Sequence, residues 1–185
     1  MNKNKSRTRI RFLATAGIIA ALYAALTVAF PFLPFLAFGP IQLRISEVLT
    51  VLPVYTPAAI PGLFIGALLA NTIGVQMGLT YGLDILFGSM ASLTAALLTY
   101  YFRRIKTKNL SLVSTIPPVI VNAIVIGAMI AYFFVPEAPN GRFILFLTYA
   151  SQIAVGQFIV CCLGGTALMT GLNRHENRLF GPDSF

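Results

Sequence analysis

Long apolar blocks separated by short clusters of charge set the pattern of this chain. Residues 12–43, 48–83, 85–102, 109–136 and 143–173 contain no Asp, Glu, Lys or Arg. A membrane-crossing helix needs about 20 apolar residues. The blocks therefore predict spanning helices at residues 12–30, 58–77, 83–102, 114–134 and 143–172. Pro117 and Pro118 fall in the first turn of the fifth span, where a missing N–H costs least. The last span is long enough to tilt or to project past the membrane. Residues 41–55 are shorter and carry Pro53, so their length alone does not decide whether they cross.

Charge decides it. Lys3, Lys5, Arg7, Arg9 and Arg11 precede the first span, Arg103, Arg104, Lys106 and Lys108 follow the fourth, and Arg174 and Arg178 follow the last. Basic loops stay on the cytoplasmic side. All three clusters lie inside only if residues 41–55 cross. The expected fold is therefore an all-α membrane protein, a six-transmembrane-helix bundle with both termini cytoplasmic and a short second helix, begun by a cap at Ser46. It forms a single integral membrane domain over residues 1–185: a basic N-terminus at 1–11, the bundle at 12–172 and a polar tail at 173–185. The outer loops fall at 31–43, 78–82 and 135–142. The first, with Pro31, Pro34, Phe35, Phe38, Gly39 and Pro40, is either a lid or an ordinary interfacial loop.

Composition agrees. Of 185 residues, 57% are hydrophobic and 10% charged, against about 25% charged in soluble domains, and the mean hydropathy is +0.84. The net charge of +8 resides in the flanks of apolar runs, which argues for a lipid bilayer and against nucleic acid as partner. The basic start resembles a signal peptide, but 12–30 is long for one, so it reads as a retained first helix. Adjacent Cys161 and Cys162 point about 100° apart on a helix and are read as small buried residues, not a disulfide.

Only three charges interrupt the apolar body: Arg44 and Glu47 in QLRISEVLTVLP, and Asp84. Each costs roughly 2.5–3.5 kcal/mol at membrane depth, so a functional role is the default reading. With Asn71, Gln76, Asn122, Gln152 and Gln157 they fall in or near the outer half of the bundle, where an external solute could be captured. Structural alternatives stand beside each: an i,i+3 ion pair for Arg44 and Glu47, electrostatic capping of a helix by Asp84, interhelical hydrogen bonding for the amides. Gly62, Gly66, Ala70, Gly74 and Gly78 make a ridge for close packing, most simply an internal one. Ala16, Ala20 and Ala24, with Ala21 and Ala25 on an adjacent stripe, pack internally or serve a partner. The chain has no phosphate-binding loop, no H-E-x-x-H and no G-x-S-x-G, and its one histidine, His175, lies in the tail. It reads as a binder or pore without a catalytic set, metal site or cofactor.

QLRISEVLTVLP, TPAAIPGLFIGALLAN, GLDILFGSMASLTAALLT and PPVIVNAIVIGAM resemble the QueT family, substrate-binding S components of energy-coupling factor transporters, over about residues 16–172. The resemblance implies uptake across the plasma membrane of a queuosine precursor, a deazaguanine such as preQ1, preQ0 or queuine. Two ATPase subunits would drive it through a transmembrane coupling subunit, docked on the Ala16, Ala20 and Ala24 stripe. Arg44, Glu47, Asn71, Asp84 and Asn122 are the matching motif positions. Gly156-Gln157 departs from the pattern, since relatives tend to carry Glu after that glycine. In this reading Glu47 accepts the adjacent N–H and NH₂ donors of a guanine-like edge as a bidentate pair. Asp84 suits an aminomethyl arm. Arg44 orients Glu47 or binds the ring carbonyl, and Tyr81 or a loop Phe stacks on the base. A secondary transporter or small channel using Glu47 and Asp84 for ion coupling is the alternative, and a non-transporting scaffold a third.

Overall fold

The structure is a computed structural model that describes residues 3–28, 43–105, 110–135 and 141–174. Every element in them is helical: α1 (Lys3–Val28), α2 (Ile45–Val54), α3 (Ala59–Gln76), α4 (Gly82–Phe102), α5 (Leu112–Phe134) and α6 (Arg142–Asn173). All but α2 are long and apolar enough to cross a membrane. The proposed lid at 31–43 lies outside the described residues except for Leu43.

The long helices form an arc, α1 beside α3, then α4, α5 and α6, with α2 packed among them. The register of α1 on α3 fixes their direction. An added Cβ at Gly62 would meet the Ala16 carbonyl at 2.8 Å, and one at Gly66 the Ala20 carbonyl at 2.9 Å. Both numbers rise together, so α1 and α3 run parallel, and the chain between them must return. It does so through α2, whose Ser46 and Glu47 face Thr27 and Tyr23, and whose Leu52 packs with Ile19 and Leu63. The return uses few residues because α2 is a 3-10 helix. At about 2.0 Å per residue its 10 residues reach roughly 20 Å, a third further than an α-helix of equal count. The 3-10 spacing also aligns Arg44, Glu47 and Thr50 on one ridge.

Small residues let the backbones approach. Gly62, Gly66, Ala70 and Gly74 are buried, as a packing ridge requires. Gly78 lies past it: with φ of 69° it closes α3 in a Schellman turn, Leu79 N–H to Gly74 O at 2.9 Å and Gly78 N–H to Val75 O at 3.0 Å. An added Cβ at Gly127 would strike the Ala150 backbone, and Cβ atoms at Gly164 and Gly165 would strike Val48 and Val51 of α2. The middle of α6, Phe158–Gly164, winds as a π turn, a local widening that brings those glycines against α2.

Several expectations change. Helix α1 starts at Lys3, so the described part of the basic flank continues the first helix, with residues 5–11 exposed. Ser46 does not cap α2. The N-cap position is Arg44, without a side-chain cap bond, and the Ser46 hydroxyl accepts from Thr27 at 2.7 Å. The Ala16, Ala20 and Ala24 stripe is buried against the glycines of α3 and is not offered to an outside partner. Its neighbours Gly17, Ala21 and Ala25 are exposed. Outward-facing Leu22, Leu69, Leu86, Ile124 and Leu163 are also exposed, the surface that a lipid environment covers. Arg142, a basic residue at the end opposite Arg103, donates to the Ala131 and Val135 carbonyls at 2.8 and 3.1 Å and so satisfies the close of α5.

The α1–α3 contact has a direct test. Gly66→Ala must push a methyl onto Tyr23 Cβ and the Ala20 carbonyl, and should destabilise by about 1–3 kcal/mol. Gly17→Ala meets nothing within 4 Å and should not. Thermal midpoints of the two purified variants in detergent should therefore separate, with Gly66→Ala melting lower.

Candidate functional site

A charged group in an apolar bundle must find its partners within the protein, and Glu47 finds them on every side. Its side chain is 2% exposed. From α1, the Tyr23 hydroxyl donates to Oε1 at 2.5 Å, the length of a charge-assisted bond. From α5, Asn122 neighbours the same carboxylate, and Arg44 acts on it through its charge. The Thr50 hydroxyl donates to the Glu47 carbonyl at 2.6 Å, and the Cys161 thiol of α6 approaches that carbonyl at 3.7 Å. The other carboxylate oxygen, Oε2, is buried with no hydrogen-bond partner among the described residues.

Arg44 is held from the α3 side. Its Nη2 donates to Asn71 Oδ1 at 2.8 Å, and Asn71 Nδ2 donates to the Asp84 carbonyl at 3.0 Å. Both ends of one amide are thereby used to tie α2, α3 and α4 together. Gly88 is what makes room, since a Cβ there would sit 2.7 Å from Asn71 Nδ2. Asp84 is buried, feels the Arg44 charge, and sets its carboxylate against the Tyr81 backbone N–H at the start of α4, half of a capping box. Asn122 Nδ2 donates to Gln157 Oε1 at 3.1 Å across the α5–α6 contact.

The structure thus gathers Arg44, Glu47, Asn71, Asp84, Asn122 and Gln157 into one buried polar cluster drawn from α2 to α6, with Tyr23 completing it from α1. Counted as ionised, one arginine against two carboxylates leaves one negative charge. Tyr81 does not join. Its ring is 61% exposed and stacks on Phe134 at 4.0 Å between centroids. Gln76 is exposed at the end of α3, and Gln152 is half-buried. Cys161 and Cys162 are free thiols. Among the described residues no group of three or more His, Cys, Asp or Glu could hold a metal ion.

Sequence reasoning missed Tyr23, Thr27, Thr50 and Cys161. A signal existed for the first two. Tyr23 and Thr27 are the hydroxyls at i and i+4 on the same face of α1 as Ala16 and Ala20, and a polar stripe on an apolar helix needs partners. Thr50 and Cys161 carry no such mark, because short polar residues hide easily in apolar helices.

Removing the phenol hydroxyl by Tyr23→Phe strands Oε1 and should destabilise by about 1–3 kcal/mol. In a Glu47→Leu background the same change should be neutral or stabilising, since the hydroxyl then has no carboxylate to serve. Equal losses in both backgrounds, by thermal unfolding in detergent, would mean that the bond contributes nothing.

Compared with known proteins, the chain matches the family model described as QueT transporter over residues 13–174. No curated protein and no solved structure matches it. The five long apolar helices and the buried cluster suit a multi-pass membrane protein that handles a small polar solute. With the match extending from α1 into the end of α6, the chain belongs to the QueT transporter family, and is a membrane transporter.

Proposed function

We propose that this chain is the substrate-binding S component of an energy-coupling factor importer in the plasma membrane, and that the Glu47 cluster binds a deazaguanine precursor of queuosine. The observation that carries this reading is Glu47 Oε2, an acceptor buried without a partner where side chains of six helices meet. A buried orphan of this kind costs about 1–3 kcal/mol unless something fills it. A nitrogen heterocycle bearing N–H donors would do so. Tyr23 already holds Oε1, so Oε2 is the oxygen left for the ligand rather than both equally. The residual negative charge favours a cationic ligand such as an aminomethyl deazaguanine, with Asp84 near the amine and Arg44 balancing Glu47.

Six crossings with both termini cytoplasmic are part of this proposal. The parallel α1 and α3, with α2 returning between them, support it. So does a sequence with no nucleotide-binding loop, since partner ATPases would supply the energy through a coupling subunit. The docking face moves from Ala16, Ala20 and Ala24 to the exposed Gly17, Ala21 and Ala25, where small side chains permit close helix approach.

Purified protein should bind an aminomethyl deazaguanine tightly and guanine more weakly. Glu47→Gln should weaken binding at least tenfold, about 1.4 kcal/mol. Asp84→Asn should weaken the aminomethyl ligand far more than its neutral nitrile counterpart, whereas equal losses would assign Asp84 to helix capping alone. Wild-type affinity in a folded Glu47→Gln protein would sink the proposed site, and no binding at all would favour a scaffold.

Energy coupling is tested separately. Ala21→Trp should abolish cellular uptake and co-purification with a coupling subunit, while the Kd stays near wild type. Full uptake in cells lacking every coupling subunit would favour a secondary transporter.

A further inference from the structure

A basic groove lies at the close of α4, roughly 27 Å along that helix from Asp84. Helix α3 runs parallel to α1 and α4 returns beside α3, so α4 closes at the end of the bundle where α1 begins. The groove has a volume of about 640 Å³ and runs from Leu97 past Tyr101 to Arg103, Arg104 and Ile105. Its two parts differ in chemistry. Leu97, Tyr101 and Ile105 present exposed apolar surface, Tyr101 at 74%, while the two arginines directly follow the last turn of α4.

Arg103 is held ready for an acceptor. Its guanidinium lies on the Tyr100 ring, 3.6 Å from the centroid, and Nη1 donates to the Tyr100 carbonyl at 2.9 Å. The stack and the hydrogen bond fix the plane of a fork that matches phosphate oxygens. A guanidinium carries five N–H donors, so most remain for another group. Arg104 is exposed beside it. Closing the helix C-terminus accounts for Arg103 at the Tyr100 carbonyl, but not for a second arginine or for the apolar groove. Glu47 and Asp84 are the only acidic side chains among the described residues, and both belong to the buried cluster. No described acid therefore neutralises the pair.

We propose that this groove binds one anionic phospholipid, with its phosphate on Arg103 and Arg104 and an acyl chain along Leu97 and Tyr101. Charge complementarity selects the headgroup, as in other basic pockets at the ends of membrane helices. The apolar lining selects a lipid over a free anion, which would leave Leu97, Tyr101 and Ile105 uncovered. A tyrosine at a helix end suits the headgroup level. The groove is separate from the Glu47 cluster, so this lipid is a second ligand and not a competitor for that site.

The test is native mass spectrometry of the purified full chain, titrated in detergent with dioleoyl phosphatidylglycerol, dioleoyl phosphatidylcholine or inorganic phosphate. Wild type should hold one phosphatidylglycerol about tenfold more tightly than phosphatidylcholine. Arg103→Gln/Arg104→Gln should erase that preference. Arg7→Gln/Arg9→Gln removes the same charge from the exposed start of α1 and should leave the preference intact. Equal retention of the two lipids by wild type overturns the proposal. So does equal loss in the two double variants, which would mean diffuse charge and no site. Displacement of phosphatidylglycerol by millimolar inorganic phosphate would assign the arginines to a free anion instead. Lipid binding that emerges only in Glu176→Gln/Asp183→Asn would give the groove to the chain's own acidic tail, and likewise overturns it. Should the Arg103 variant fail to fold, Arg104→Gln alone decides. It should weaken phosphatidylglycerol about threefold, and unchanged affinity overturns the proposal.

Discussion

A carboxylate buried inside a helical bundle constrains everything else in this molecule. Transfer of Glu47 into an apolar interior is unfavourable unless hydrogen bonds and a counter-charge compensate. The bundle supplies Tyr23 from α1, Arg44 from its own ridge and Asn122 from α5. Arg44 in turn needs Asn71, and Asn71 needs the Asp84 carbonyl and the space at Gly88. The polar network is thus continuous from α1 to α6, and each helix is positioned partly by what it contributes. One oxygen, Oε2, is left over.

Packing makes the network possible. Polar side chains as short as Thr and Asn reach across a helix contact only when backbones are close. The glycines that face Ala16, Ala20, Ala150, Val48 and Val51 provide that approach. Two of the helical irregularities serve the same end. A 3-10 winding stretches α2 so that ten residues carry both the site and the return path, and the π turn of α6 presents Cys161 and the adjacent Gln157 to it. Irregular winding at polar sites within membranes is tolerated where the freed backbone groups find partners. The Thr50 hydroxyl at the Glu47 carbonyl is such a partner.

Much of this was legible in the sequence. Apolar block length gave five long helices, and the charge clusters required a sixth segment whose return the parallel α1 and α3 support. Arg44, Glu47, Asn71, Asp84, Asn122 and Gln157 stood out because polar groups are rare in such blocks, and they do meet. Three things were not legible. The alanine stripe of α1 has an equally smooth neighbour in Gly17, Ala21 and Ala25, and only the glycines of α3 decide which is buried. Tyr81 looked like a stacking platform because aromatic residues serve both ligands and helix ends, and its partner Phe134 lies 53 positions away. The role of Tyr23 depends on the register between α1 and α2, which no local pattern encodes.

The central claim is that Glu47, held through one oxygen by Tyr23, receives the ligand on the other. A crystal structure of the protein soaked with 7-deazaguanine tests it most directly. The account predicts a planar ring within the cluster, with a ring nitrogen at hydrogen-bond distance, about 2.7–3.0 Å, from Glu47 Oε2 and the Tyr23 contact intact. A ring bound elsewhere, with Oε2 still unpartnered, would contradict it.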